Sequence, residues 1–588
     1  MSVAQPHQPV PPAASKSSEQ HSYLWRLSWL YALVFTALPI LVVGWAWSKA
    51  AVNVPKWDDH ALKEFLLALE QQTSPLGWFR QVIKQHNEHR IAYDRLLTWA
   101  DYTFFGKLSF KRLMVYGDLS LLALVALFGW FTSRYTKHWL LFLPPVALFI
   151  ISLAQWENLY WALSSIQNFS IVGWSLACLL VLSHQSRIGW AIGLAIIATL
   201  VSGNGFLVWP IGFFLLVAQR RFQALIPWGI AAILLIAVYF GDYVQPTTHP
   251  PTRGSAAELA GGCLAFIGAA AEALPISKPY LFSMLLGGTL LVFWLTVLIP
   301  SLTRLGKKIA WTPLESFGLG ALAFILGTAI VVVWGRYGYG QDTLLTSRYR
   351  IYSLTLLALT YTYWLSAAYS KQAVSSAKAF WAAGCGLLVS GLLWWSAFRF
   401  NTHESIFLRR MLLTMQYNWT YTGNRPESAI DATTRRLIDN SPAFYDAALP
   451  AFFTESSAPL FPIDTLFKRD HAYVVRLGTT GQPASMLPTL ANPDLGVNVL
   501  LRSTKRTYLY GALPTPRRHW RVLVNRLPLY TADAPIELGI PIDELEVGTY
   551  KLFVVQYTAE QPAGVVRPTT QLLTVAPHKL STGPVKNW

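Results

Sequence analysis

The sequence predicts an α-helical polytopic membrane protein of about 11 transmembrane helices, followed by a C-terminal extracytoplasmic domain that is mainly β and sandwich-like. Three observations lead there. Of the 588 residues, 53% are hydrophobic and only 13% are charged, and the mean hydropathy is +0.35, which excludes an ordinary soluble enzyme of this length. Long apolar runs fill most of residues 24–400, whereas 401–588 has the mixed composition of a water-soluble fold. Short runs of β-branched and aromatic residues punctuated by Pro and Gly recur through that second part.

Residues 1–23 are rich in Pro, Ser and Gln and read as a disordered cytoplasmic tail, because they bury too little apolar surface to fold. The transmembrane domain is expected over 24–400, with spans at 24–47, 112–132, 139–155, 163–184, 188–203, 205–219, 223–241, 281–303, 315–335, 349–369 and 379–398. Segments 188–203 and 205–219 are short and flank Ser202-Gly203-Asn204-Gly205, so two spans and one re-entrant pair are both open. A cytoplasmic N-terminus places Arg134/Lys137, Arg187, Arg220/Arg221, Arg304/Lys307/Lys308 and Lys371/Lys378 inside, as the positive-inside rule requires. That agreement needs the Ala/Gly-rich stretch 259–275 not to span. The first external loop, 48–111, is then large and helical, and the C-terminal domain, 401–588, is exported.

In that domain a short helix is expected around Glu404–Tyr417. Strands are expected at Tyr473–Leu477, Val497–Leu501, Thr507–Tyr510, Trp520–Val524, Ile536–Ile542, Thr549–Tyr557 and Leu572–Val575. Both alternating faces of Thr549–Tyr557 are largely apolar, which predicts a strand covered on two sides.

The net charge of +17 invites a nucleic-acid partner, but its distribution argues against one. Residues 1–400 hold 28 Lys and Arg against 15 Asp and Glu, and most of the excess lies in short loops between spans. No basic stripe with interleaved aromatics forms a nucleic-acid groove. Cys178, Cys263 and Cys385 lie in apolar stretches and form neither a disulfide framework nor a metal-ligand spacing.

Three polar constellations fall on the same predicted side. Lys56-Trp57-Asp58-Asp59-His60 follows the first span, and His86-Asn87-Glu88-His89-Arg90 follows within the first loop. A carboxylate at the membrane surface can act as a general base toward a hydroxyl whose reaction partner is anchored in lipid, although Asp58 and Asp59 would also serve as solvated loop residues. A divalent metal at His86, Glu88 and His89 is conceivable but not predicted, since spacing supplies no further ligand. Trp156-Glu157-Asn158-Leu159-Tyr160-Trp161 forms an outer turn and leads to Gln167 and Asn168 in the next apolar run, with Asp118 in the second span able to join either network. Such groups need partners or water. Gly335-Arg336-Tyr337-Gly338-Tyr339-Gly340 and Ser347-Arg348-Tyr349-Arg350 put three arginines on one short outer loop, a set suited to an anion.

Taken together, these features resemble the GT-C superfamily of polytopic membrane glycosyltransferases. The resemblance rests on Trp57-Asp58-Asp59 directly after the first span, on the large helical first loop and on the C-terminal extracytoplasmic domain. HNEHRI at 86–91, QWENLYW at 155–161, SGNG at 202–205, GRYGYG at 335–340 and SRYR at 347–350 are similar to blocks of an uncharacterised bacterial family near it. The resemblance implies a bacterial plasma-membrane enzyme that moves a sugar from a polyprenyl-phosphate donor to a glycan or lipid acceptor at the outer face. Asp58 or Asp59 would be the general base. The resemblance carries over no further residue; on charge and position alone, Arg336, Arg348, Arg350 and Arg90 would meet the donor phosphate, with His60, His86, Glu88, His89, Glu157, Asn158 and Asn204 lining the site and no cofactor required. Two other readings use the same residues: a ligase or polymerase of lipid-linked glycans, and a transporter, channel or export component of envelope glycan assembly. Asp118, Gln167 and Asn168 along a continuous water path would favour transport.

Overall fold

The computed structural model describes residues 15–577 apart from 185–186, 246–253, 372–375, 419–452, 455–458, 462, 470–471, 478–487, 515, 531–535 and 559–562. The chain is mostly helical up to residue 418 and mainly β beyond it. Among the described residues, eight helical segments are long and apolar enough to cross a membrane. They lie in α1 (Ser15–Ala50), α5 (Phe110–Ser133), the pair α6 (Trp139–Ile150) and α7 (Trp156–Leu159), α8 (Ala162–Ser183), α11 (Phe222–Phe240), α13 (Pro279–Gly306), α14 (Pro313–Arg336) and α16 (Ser376–Gln416).

The other three expected spans differ for identifiable reasons. The helices α9 (Ile188–Val201) and α10 (Val208–Ala218) have 14 and 11 residues, about 21 and 17 Å at 1.5 Å per residue, short of a hydrocarbon core of roughly 30 Å. They meet at Gly203–Leu207, a short 3-10 turn. The helix α15 (Arg350–Lys371) has 22 residues but is rich in Tyr, Thr and Ser. It is buried on most sides, so its polar side chains meet protein rather than lipid. The stretch around 259–275 forms α12 (Ala256–Ile267), 12 residues long and too short to span.

The tail expected over 1–23 is helical from Ser15 onward, as the start of α1, and residues 1–14 lie outside the described residues. The first loop is helical, as expected: α2 (Asp59–Glu70), α3 (Pro75–Ile83) and α4 (Ala92–Phe105). Central helices pack closely through small residues. A Cβ on Gly117 of α5 would lie 2.2 Å from Ser165 Oγ of α8, so glycine is what lets these helices approach.

Helix α16 has 41 residues, about 60 Å, twice what a bilayer core requires. The separate helix expected at Glu404–Tyr417 is therefore the continuation of the last span. Its far end carries two antiparallel sheets, ordered β1-β2-β5 and β4-β3-β6-β7, from β1 (Ile463–Arg469), β2 (Ala472–Leu477), β3 (Gly496–Arg502), β4 (Thr507–Ala512), β5 (Ile536–Pro541), β6 (Gly548–Tyr557) and β7 (Val565–Val575). Val475, Leu538, Ile540, Val499, Leu552 and Leu573 share one core between the sheets, the sandwich arrangement of facing apolar sides. The outer face of β3 and β6, with Leu500 and Val555, joins the helical core together with Leu412 and Leu413. This covers the second half of β6 on both sides, whereas Thr549 and Lys551 stay exposed. Buried Arg410 of α16 locks the junction through Asn498 Oδ1 at 3.2 Å and the Pro493 carbonyl at 3.1 Å. Two expectations fail here: Trp520–Val522 is a 3-10 turn rather than a strand, and β1 has no counterpart among the expected strands.

Candidate functional site

The helix ends after Ala50, Val201, Phe240 and Arg336, and the helix starts at Ala162 and Arg350, converge at one end of the bundle. They surround a cavity of about 680 Å³. Asp58, His86, Glu88, His89, Asn204, Arg336 and Arg348 line it. Residues singled out from sequence are thus brought to one place, Glu88 and Arg336 among them although 248 positions separate the two.

Asp58 and Asp59 have different environments. Trp57 takes φ 44, an uncommon conformation for a bulky residue. It is held edge-on to Trp161, with Lys56 Nζ 4.3 Å from both ring centroids. This turn sends neighbouring carboxylates opposite ways. Asp59 is fully buried and accepts from the Lys56 amide at 2.9 Å and the Leu163 amide at 2.8 Å. Burial pushes its carboxyl up to about 7 against the lowering effect of those amides. Asp58 stands at the N-cap of α2, but its side chain caps no amide. It lies 3.6 Å from His86 Nε2. Burial raises the Asp58 carboxyl, and His86, Arg348 and Asn87 outweigh it to hold the group below its usual value.

His86 and His89 exchange backbone hydrogen bonds of 2.7 and 2.9 Å, closing a tight turn in which Asn87 takes φ 49, a conformation that Asn tolerates. The turn presents Glu88 to Arg336, whose Nη2 donates to Glu88 Oε1 at 2.5 Å. His89 packs against the Gly203 backbone, where a Cβ would come within 2.7 Å of Nδ1. Burial lowers its imidazole. Among the described residues, no group of three or more His, Cys, Asp or Glu is placed to hold a metal ion.

Behind the cavity wall, Glu157 pairs with Lys56 Nζ at 2.9 Å and Arg348 Nε at 3.6 Å, and Ser347 Oγ donates to it at 3.3 Å. Asn158 Nδ2 donates to the Arg348 carbonyl at 2.9 Å, while its Oδ1 accepts from Ser164 and Asn168. Glu157 and Asn158 therefore position Arg348 without lining the cavity. Asn204 Nδ2 donates to Tyr352 Oη at 2.9 Å and Thr328 Oγ1 at 3.3 Å.

Several expected residues stand elsewhere. Arg90 is buried and donates to the Tyr239 and Ile83 carbonyls and to Asp242, so it joins the first loop to the end of α11 instead of facing the cavity. Arg350 is buried between the Ala154 carbonyl and Glu272. His60 is buried within the first loop, where burial drives its imidazole well below the usual value. Of the three residues expected along a transport path, Gln167 and Asn168 line the cavity, whereas Asp118 accepts from Ser165 Oγ at 3.0 Å and is not on its wall.

The lining includes residues that sequence patterns did not single out: Tyr239, Tyr243, Thr328, Val331, Trp334 and Tyr352. They sit in or beside apolar helices, and nothing in their spacing separates them from core. Val331, Trp334 and Phe240 on this wall are exposed, so the cavity has an accessible apolar side between the ends of α14 and α11. Thr328 lies about two turns below Arg336, roughly 12 Å down α14, which measures how far the polar lining descends. Phe324 and Ile325 of α14 and Ile171 and Val172 of α8, further along, are buried apolar core. The site therefore puts the Asp58 carboxylate and the Arg336 and Arg348 guanidinium groups on the wall of one polar cleft, which also has an apolar side. Compared with known proteins, the chain matches no family model, no curated protein and no solved structure.

Proposed function

We propose that this chain is a polytopic membrane glycosyltransferase of GT-C type, which transfers a sugar from a polyprenyl-phosphate donor to a glycan or lipid acceptor at the outer face of a bacterial plasma membrane. One observation carries the reading: Asp58 opens onto the same cavity as Arg336 and Arg348, and that cavity has an apolar flank formed by Val331, Trp334 and Phe240. A donor with a phosphate head and a long apolar chain matches both features. The opposite helix ends meet through Arg220, Arg221, Lys308 and Leu182. Basic residues concentrate at that end, and the positive-inside rule would put it in the cytoplasm.

In this mechanism Asp58 accepts the proton of the acceptor hydroxyl, whose oxygen attacks the anomeric carbon. The bond between that carbon and the phosphate oxygen breaks, and the electron pair leaves on the polyprenyl phosphate. Arg336 and Arg348 meet the growing negative charge, and direct attack with no covalent sugar–enzyme intermediate inverts the anomeric configuration. Asp58 opens onto the cavity, whereas Asp59 is fully buried with its oxygens taken by two backbone amides, so Asp58 suits the base role better. The polar lining gives way to the apolar core of Phe324, Ile325, Ile171 and Val172, which favours a lipid-facing site over a transport path. Purified protein is expected to transfer sugar from lipid-linked donor alone, and Asp58→Asn is expected to stop it. Activity that requires an added nucleotide sugar contradicts the reading.

A further inference from the structure

The segment from Arg517 to Leu529, between β4 and β5, takes no part in the cavity. It is closed at its base by the Arg517 amide donating to the Leu529 carbonyl at 2.7 Å, and at its tip by the Arg526 amide donating to the Arg521 carbonyl at 2.9 Å, forming a compact loop. Its level relative to the spans is set by two contacts. Trp395 Nε1 of α16 donates to the Leu523 carbonyl at 2.8 Å, and Arg518 pairs with Glu272 at 2.6 Å. One turn below Trp395, Leu392, Val389 and Leu388 form an exposed apolar strip on α16, so the loop sits where the lipid-facing surface of that helix ends.

The composition of the loop fits that level. Trp520 and Val524 are each 54% exposed, and Arg521 and Arg526 are exposed beside them. The Arg521 guanidinium lies 5.7 Å from the Trp520 ring centroid, and neither Arg521 nor Arg526 has a carboxylate partner among the described residues. The stretch PRRHWRVLVNRLPLY at 516–530 has four arginines and no acidic residue. Trp prefers the membrane interface, and exposed arginines at that depth attract anionic head groups.

We propose that this loop is a membrane-seated foot of the β domain, with Trp520 and Val524 entering the interface of the bilayer and Arg521 and Arg526 binding the phosphates of anionic phospholipids. The foot gives the β domain a second attachment to the bilayer, beside the α16 helix to which Trp395 ties it. It does not depend on what the cavity does.

The test uses the full chain with Cys263→Ala and Cys385→Ala, Cys178 being buried, and a bimane label on Trp520→Cys or, separately, Val524→Cys. The protein is reconstituted in phosphatidylcholine alone or in an equal mixture with phosphatidylglycerol. Expected are quenching by lipids brominated near the head group, protection from aqueous iodide that is stronger with phosphatidylglycerol, and a several-fold rise in iodide access when Arg521→Gln and Arg526→Gln are added. Labels at both sites that iodide reaches freely and brominated lipid does not, or labels shielded from both quenchers, overturn the proposal. Protection indifferent to phosphatidylglycerol overturns the role of the arginines.

Discussion

Arg336 Nη2 lies 2.5 Å from Glu88 Oε1, which ties the end of α14 to the tight turn of the first loop across the mouth of the cavity. Both side chains are partly exposed, so the pair is an exchangeable one. A phosphate arriving at Arg336 competes with Glu88 for the same donors. Glu88→Gln is therefore expected to tighten the binding of a polyprenyl phosphate, whereas Arg336→Ala weakens it. Titration of each variant with polyprenyl phosphate checks this, and weaker binding by Glu88→Gln would count against the competition.

Adjacent carboxylates are expected to fail in different ways. Asp58→Asn keeps the fold and lowers transfer by about 10²–10⁴, the usual worth of a general base. Asp59→Ala leaves two buried amides unsatisfied and lowers stability by roughly 1–3 kcal/mol per group. Thermal unfolding in detergent, measured beside turnover, separates the two outcomes.

Their pH dependences run in opposite directions. The fold holds Asp58 below its usual value, so it stays ionised, and competent as a base, as pH falls through the ordinary carboxylate range. Its contribution to stability is present above that range and is lost as pH drops through the depressed value. His86→Ala removes one of the lowering partners, so the acid limb of kcat/KM is expected to move to higher pH. Asp59, raised to about 7, favours its neutral form. Its contribution is complete below the usual carboxylate value and declines as pH rises through about 7. Asp59→Asn is expected to flatten that decline in Tm.

Glu157 serves Lys56 and Arg348 at once. Removing its charge with Glu157→Gln leaves buried Lys56 without its counter-ion and half-buried Arg348 without one of its partners, and breaking a buried pair such as Lys56 with Glu157 destabilises by roughly 3–5 kcal/mol. Loss of Tm together with loss of anion binding is expected, because Arg348 loses its support. A variant with full stability would show that the network carries little weight.

Gly205 sits where α9 gives way to α10, and a Cβ there would be 2.2 Å from the Ala198 carbonyl oxygen. Backbone cannot yield as a side chain can, so Gly205→Ala is expected to displace Asn204 from Thr328 and Tyr352 and to lower Tm. Gly193→Ala, with open space around its Cβ position, is the control expected to leave Tm unchanged.

The helices were readable where their surfaces are apolar and exposed. Segments such as α11 and α13 are apolar all round, and hydropathy finds them directly. Where helices face protein the signal weakens: α15 carries Tyr352, Thr355 and Thr362 in its buried surface, and α9 and α10 keep the apolar composition of spans while lacking the length. The cavity was legible through charged residues gathered in loops on one predicted side, as with Asp58, Glu88, Arg336 and Arg348. Sequence could not tell Asp58 from Asp59, because the choice depends on Trp57 turning through φ 44. Nor could it tell Arg336 from Arg90 and Arg350, whose carbonyl and carboxylate partners are remote in the chain. Tyr239, Thr328 and Trp334 were hidden because aromatic and hydroxyl side chains in apolar helices look alike whether they line a cavity or fill a core.

The most direct test of the cavity as a lipid-phosphate site is native mass spectrometry of the full chain with added polyprenyl phosphate, in competition with phosphatidylglycerol. Saturable binding of polyprenyl phosphate that phosphatidylglycerol does not displace, and that Arg336→Ala loses, is the predicted result. Polyprenyl phosphate that binds no better than phosphatidylglycerol, or equally well to Arg336→Ala, would contradict the account.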